Sequence, residues 1–373
     1  MLFIKCDELK PGMRLAKPIY SKKGVLLYDR ATVLKDEQAI SNIKSFGLIG
    51  IFVLEPAEPV PPMTQEDLEF EKFQTVTYNQ IMDEMGRILA KHKQEQFPHI
   101  CAEIIRNYGN LSKKINFQQS LRSEDDYIYK HGLNVAILAA MMTHSMNVPL
   151  SDQNDAVMAA VIHDIGKLTL PPQMQSKDEL TYDERMIVDT HQQAGYDIIE
   201  EAFSFQPNVR RACNQSRKTL LDYDNGDPIQ NMKLITASKV LTVADYFDKK
   251  TAVRLDSAPV SEVVVIRNMN ERPDVFDPRV IRALLDSINI LLPGASIELN
   301  TGEKALVIRT NERDVLRPTI LSFRDNKIID LSDKKFYGNL EIVDIMKTMD
   351  NRYVMDTDKM KSLGFDVEEP DYV

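Results

Sequence analysis

The stretch AAVIHDIGKLTLPP, residues 159–172, ends an apolar helical run with an imidazole and a carboxylate side by side, His163 and Asp164, followed directly by Gly166 and Lys167. Other residues of the same chemistry lie in similar surroundings. His131 sits in YIYKHGLNVAILAAMM, where Val135, Leu138 and Met142 follow at helical spacing and draw the ring inward with them. His191 opens HQQAGYDII, and Asp245 lies in KVLTVADYFDKK among Val240, Leu241, Val243, Ala244 and Phe247. A carboxylate among such neighbours must be paired, hydrogen-bonded or bound to a metal. Imidazoles and carboxylates converging from several helices form a mixed nitrogen and oxygen site suited to iron, manganese, zinc or cobalt. Such an ion lowers the pKa of water enough to support attack on phosphorus near neutral pH. Gly166 is expected to stop the helix in a left-handed conformation, leaving Lys167 to present a cation to a phosphate. Each residue taken singly also has a plainer reading: a hydrogen-bonded pair at 163–164, a satisfied core histidine at 131, a helix-start contact at 191, a surface charge at 167.

The elements that must position these residues follow from the hydrophobic pattern. Helical segments are predicted around 126–146, 151–165, 181–203, 206–220, 233–250 and 276–290, which together read as an all-α bundle over 121–290. Before it, residues 1–56 mix short apolar runs, Lys-Pro-Gly and Lys-Lys-Gly turns and a helix near 35–46, the pattern of a small α+β domain. A proline-rich linker at 57–66 and connecting helices at 67–120 join the two. After Pro293-Gly294 the period changes to alternation, so residues 291–345 are expected to form a small β module and 346–373 an acidic tail.

Bulk properties narrow the function classes. The chain has 373 residues, 43% of them hydrophobic, enough for several cores. A net charge of −10 argues against a nucleic-acid polymer as partner, because counterion release needs a basic surface. Cys6, Cys101 and Cys213 show no pairing or metal-finger spacing, no window reaches the length of a membrane span, and no signal peptide is evident, which together suggest a cytoplasmic protein.

The order His131, His163-Asp164, Asp245 resembles the H…HD…D signature of the HD phosphohydrolase superfamily. The finer resemblance is to its HD-GYP branch, the bacterial cyclic di-GMP phosphodiesterases. EDDYIYKHGLNVA, VIHDIGKLTLPP, THQQAGYDII, VLTVADYFDKKTAVR and VFDPRVIRALL are similar to successive blocks of that branch. The resemblance implies a mainly α fold, an HD-type helical bundle with a small N-terminal α+β domain and a C-terminal β module. It implies that His131, His163, Asp164 and Asp245 hold one divalent transition metal, iron or manganese first, with zinc, cobalt or nickel as alternatives. It also implies that Asp164 is shared with a second ion through His191, that Asp164 and Lys167 serve catalysis, and that Lys167 and Arg254 contact substrate phosphate.

The chain departs from the branch at CNQSRKTLLDYDNGDP. Asn214 and Gln215 stand where the branch has two histidines, Ser216 where it has a glutamate, Asp227 where it has the tyrosine of the G-Y-P loop, and Ser257 where a further lysine is common. Neutral amides ligate transition metals weakly, so one ion is expected rather than two. The implied function is a degenerate metal-dependent phosphodiesterase in nucleotide second-messenger signalling, with cyclic di-GMP or a related nucleotide as ligand. The alternative is an inactive receptor or interaction module that binds metal, nucleotide or signalling proteins without hydrolysis.

Overall fold

The computed structural model describes residues 2–46, 48, 50–54, 63–91, 94–175, 177, 180–229, 233–253 and 259–345. The expected acidic tail, most of the proline-rich linker, Arg254 and Ser257 lie outside the described residues. Internal contacts divide the described chain into two units, residues 2–79 and 80–345.

The first unit contains strands β1 (Leu2–Lys5), β2 (Arg14–Leu15), β3 (Ile19–Tyr20) and β4 (Leu26–Tyr28), helix α1 (Glu37–Ser45) and strand β5 (Gly50–Leu54). β5 lies between β1 and β2 in an antiparallel sheet, and β3 pairs with β4. α1 starts where the Asp36 carboxylate accepts from the Ala39 N–H at 2.9 Å, satisfying one donor that the first turn leaves free. Leu15, Leu34, Ile40, Ile43 and Val53 close its core. Helix α2 (Gln65–Leu89) runs from this unit into the second.

The second unit is a helical bundle followed by a sheet. Its helices are α3 (Phe97–Tyr108), α4 (Tyr127–Ser145), α5 (Leu150–Ile162), the short α6 (Pro172–Gln175), α7 (Tyr182–Ala202), α8 (Pro207–Asn225), α9 (Thr236–Thr251), α10 (Glu262–Asn270) and α11 (Pro278–Ser287). α4 is the central helix, packed by α3, α5, α9 and α11, and residues 131–143 are buried on every face. This all-round burial explains why its apolar residues run almost without interruption rather than as a stripe. At Gly132 an added Cβ would stand 2.6 Å from the Val161 carbonyl oxygen, so glycine permits the close approach of α4 to α5.

Strands β6 (Ser296–Leu299), β7 (Lys304–Arg309), β8 (Thr319–Ser322) and β9 (Ile328–Asp330), the short helix α12 (Lys334–Tyr337) and strand β10 (Ile342–Ile345) complete the chain's described elements. The five strands form an antiparallel sheet in the order β10-β6-β7-β8-β9. Val263 of α10 joins Ile297, Leu299, Val307 and Ile320 in the sheet's core. The fold is therefore mainly α, a helical bundle with small sheets toward both ends of the sequence.

Candidate metal centre

Three helices deliver the candidate ligands. His131 lies near the start of α4, His163 caps α5, Asp164 leads into a 3-10 turn at Ile165–Thr169, and Asp245 sits on α9. α5 ends in this turn, and Gly166 does not have positive φ, so the expected left-handed stop is corrected. Glycine is needed there for space instead. A Cβ at Gly166 would lie 2.3 Å from the His191 carbonyl oxygen and 2.6 Å from the Gln192 Cα, and one at Gly195 would lie 2.6 Å from Gly166 itself. The two glycines let the turn after Asp164 press against α7.

The structure brings His131, His163 and Asp164 together, their ligand atoms all within 4.8 Å of one another. His131 Nε2 is 3.2 Å from His163 Nε2, and Asp164 Oδ2 is 3.8 Å from both. Asp245 Oδ1 lies 3.0 Å from His131 Nε2 and 3.7 Å from His163 Nε2. All four residues are buried.

Donors about 2.1 Å from one ion stand roughly 3.0 Å apart in octahedral and about 3.4 Å apart in tetrahedral arrangement, so the observed spacings suit a single centre. Hydrogen bonding gives independent support. His131 Nδ1 is 2.6 Å from Asp248 Oδ2, and His163 Nδ1 is 2.8 Å from the Ala160 carbonyl oxygen. Both oxygens only accept, which assigns the proton of each neutral ring to Nδ1 and leaves both Nε2 lone pairs facing the carboxylates. Asp245 Oδ1 is buried and has no hydrogen bond: His131 and Lys249 each approach it at 3.0 Å without hydrogen-bond geometry. The Lys249 ammonium pairs with this carboxylate and donates to its Oδ2 at 3.1 Å, which leaves the two inward imidazole lone pairs without a donor, and the donor set fits a transition metal.

The electrostatics agree. Burial disfavours ionised Asp164, but Lys167, His163 and Lys249 outweigh it and hold the carboxyl well below the usual range. Asp245 is held down in the same way, against burial, by Lys249 and the two imidazoles. Burial opposes protonation of His163, yet Asp164 and Asp245 raise its proton affinity, so the pocket favours positive charge. Lys167, 7% exposed, donates to Asp164 Oδ2 at 2.5 Å, and burial pushes its ammonium down to about 8 despite that carboxylate.

Other sequence expectations fall elsewhere. Among the described residues His191 does not join the group; its Nδ1 is 2.6 Å from Thr169 Oγ1. The neighbouring Gln192 takes the inner place, its amide donating to Asp164 Oδ1 at 2.5 Å. Gln215 holds the start of α9: its Oε1 accepts from the Ile235 N–H at 3.1 Å and from Ser238 Oγ at 2.6 Å. Buried Ser216 accepts from Thr242 Oγ1 at 3.1 Å, and Asn214 lines a cavity of about 350 Å³ with Phe203 and Arg211. Cys213 is buried against the Ala159 carbonyl, and burial pushes its thiol up.

Sequence reasoning missed Gln192, Lys249, Asp248 and the arginine paired with it, Arg122. A usable signal was spacing: Asp248 and Lys249 follow Asp245 by three and four residues on one helix, so all three share a face.

Residues 116–280 match the family model described as HD domain. The matched segment makes up less than half of the chain. It contains every candidate ligand described above. The chain is also 25% identical over 243 residues to a cyclic di-GMP phosphodiesterase of Pseudomonas aeruginosa, a match covering 64% of this chain and 57% of that protein. The chain thus spans little more than half the length of that relative. Among solved structures it is similar to an HDG"Y"P protein from Bdellovibrio bacteriovorus at 12% identity and a TM-score of 0.45, covering 76% of this chain and 98% of that one. Among the described residues no helix is long and apolar enough to cross a membrane.

Proposed function

We propose that the HD domain is a metal-dependent phosphodiesterase centre, built for one transition-metal ion, that acts on cyclic di-GMP or a related nucleotide. The observation that carries this reading is the convergence of His131 Nε2, His163 Nε2, Asp164 Oδ2 and Asp245 Oδ1 with their lone pairs turned inward. Iron or manganese suits two imidazoles with two carboxylates. When bound, the ion supplies Lewis acidity, lowering the pKa of water toward neutrality and stabilising charge on phosphoryl oxygens.

The chain's own residues do the rest. Asp164 and Asp245 balance the charge of the centre. Lys167, tethered to Asp164, supplies a cation for a phosphate oxygen, and Lys249, 3.0 Å from Asp245, adds positive potential beside it. Arg254 is assigned to the same phosphate on sequence grounds alone. The 25% identical relative supports the choice of substrate.

A second reading is a receptor that binds the nucleotide without cleaving it. It is favoured by one observation: Asp164 Oδ1, the oxygen left for a second ion, is occupied by the Gln192 amide, while Gln215 and Ser216 serve α9. The deciding experiment is binding and turnover of cyclic di-GMP by protein loaded anaerobically with Fe(II) or Mn(II). Turnover abolished by Asp164→Ala supports the enzyme; binding without turnover supports the receptor; neither refutes both.

A further inference from the structure

Behind His131 lies a second set of polar groups away from the metal-facing side. Asp248 is completely buried, and its Oδ2 accepts a hydrogen bond from His131 Nδ1 at 2.6 Å. Its Oδ1 accepts from Arg122 Nη2 at 2.7 Å, Gln119 Nε2 at 3.0 Å and Asn134 Nδ2 at 3.2 Å. Gln119 closes the set: its carbonyl accepts from Arg122 and Asn134 at 2.7 and 3.0 Å, and its amide also donates to Thr251 Oγ1 at 3.0 Å. Arg122 is 1% exposed and lies over the Tyr127 ring, its guanidinium carbon 5.5 Å from the ring centroid. The Arg122 N–H is fixed in turn to the Val253 carbonyl at 3.1 Å.

Such an arrangement is an expensive way to hold helices together. A buried ion pair seldom outperforms apolar residues of the same volume, because both charges lose their hydration. Arg122 also leaves Nε and Nη1 buried without hydrogen-bond partners, an added penalty. The position of the pair accounts for the expense. A carboxylate behind a ligating imidazole fixes its tautomer and ring orientation and strengthens the opposite nitrogen as a donor. A carboxylate sealed from water at this depth needs its own countercharge to remain anionic, and Arg122 supplies it.

We propose that Arg122 and Asp248 are positioning residues of the metal centre: Arg122 holds Asp248 as a buried anion, and Asp248 fixes His131 with Nε2 free to bind the ion. This rests on the metal-centre reading given above. It adds that the loop before α4, through Gln119 and Arg122, helps determine metal affinity without touching the metal.

Removing Arg122 alone strands a buried carboxylate and endangers folding, so the informative variants remove the charges together or conservatively. Arg122→Met/Asp248→Leu replaces the pair with apolar volume, and Asp248→Asn keeps an acceptor for Nδ1 while removing its charge. Two readouts apply to full-length protein: the affinity for Mn(II) and Co(II) by chelator competition, with the Co(II) absorption spectrum, and the ring tautomers of metal-free protein by long-range ¹⁵N–¹H NMR. Circular dichroism checks the fold.

The double variant is expected to keep the parent's helicity, to bind both ions about 10- to 100-fold more weakly, and to lose the single Nδ1–H tautomer of His131. Asp248→Asn is expected to keep the tautomer and lose affinity by a smaller factor. A folded double variant with the parent's affinity and Co(II) spectrum overturns the proposal, as does an unchanged His131 tautomer. If the parent binds neither ion the metal reading itself fails, and the NMR comparison still decides whether Asp248 sets His131.

Discussion

Restoring the branch's residues by Asn214→His, Gln215→His and Ser216→Glu is the direct way to ask whether the divergent stretch of α8 is a damaged ligand set. The structure predicts that the triple variant is destabilised and gains no second ion. Gln215 would lose two good hydrogen bonds at the start of α9, to Ile235 N and Ser238 Oγ, and a weaker one from its amide to the Lys233 carbonyl at 3.3 Å. At about 1 kcal/mol net for each of the two good bonds, that change costs roughly 2 kcal/mol. Ser216, 2% exposed beside Thr242, has no room for glutamate; overpacking adds about 1–3 kcal/mol, and an unpaired buried carboxylate adds more or takes up a proton. Asn214 is partly exposed and should tolerate the change. The total, roughly 3–5 kcal/mol, corresponds to a drop of about 10 °C in melting temperature for a unit of this size. Calorimetry on the single and triple variants, with metal content measured on the same samples, provides the assay. A triple variant as stable as the parent that carries an extra tightly held ion would refute this reasoning.

Three further outcomes follow from the same geometry. Asp164→Ala removes a ligand and strands Lys167 and Gln192, so metal should be lost and stability should fall by about 3 kcal/mol with the helices retained; full metal occupancy by elemental analysis would contradict the ligand assignment. Gly166→Ala places a methyl group against the backbone of His191 and Gln192 and should force the turn off α7, weakening metal binding at least tenfold in chelator competition; an unchanged affinity would show that this close contact does not position Asp164. Asp277 is buried enough to resist ionisation, yet contacts from Arg279 and Lys239 bring its carboxyl down to about 2. Its contribution, roughly 1 kcal/mol after allowing for solvent screening, is present above about pH 4 and lost as pH falls toward 2. Asp277→Asn should therefore lower the parent's stability at pH 6 and not at pH 2 in denaturant titrations; an equal loss at both would refute the linkage.

How much of this was legible in the sequence depended on whether the inward face of each helix could be read. α4 and α5 are so thoroughly apolar that any polar residue within them is conspicuous, and His131 and His163 were found on that basis. On α7 the family resemblance singles out His191, one residue before the inward position. The helix's buried positions are Val188, Gln192, Gly195, Tyr196 and Ile199, a helical stripe that turns Gln192 inward and leaves His191 about 100° off it. α8 repeats the lesson, since Val209, Ala212, Cys213, Ser216, Thr219 and Leu220 form its buried face and exclude Asn214 and Gln215. α10 was missed because the β-branched run of Val263, Val264, Val265 and Ile266 has low helical propensity; burial of Val263 in the sheet's core and of Val265, Ile266 and Met269 compensates. Arg122 carried no signal, because it lies in a loop and its partner is 126 residues away.

The central claim is that His131, His163, Asp164 and Asp245 form a centre for one ion. The most direct test is elemental analysis of protein purified without oxygen and dialysed against a mild chelator, before and after reconstitution with Fe(II) or Mn(II). The structure predicts about one tightly held transition-metal ion per chain, lost in Asp164→Ala. Two equivalents that survive dialysis would contradict the claim by showing a second site beside Gln192, and none after reconstitution would contradict it outright.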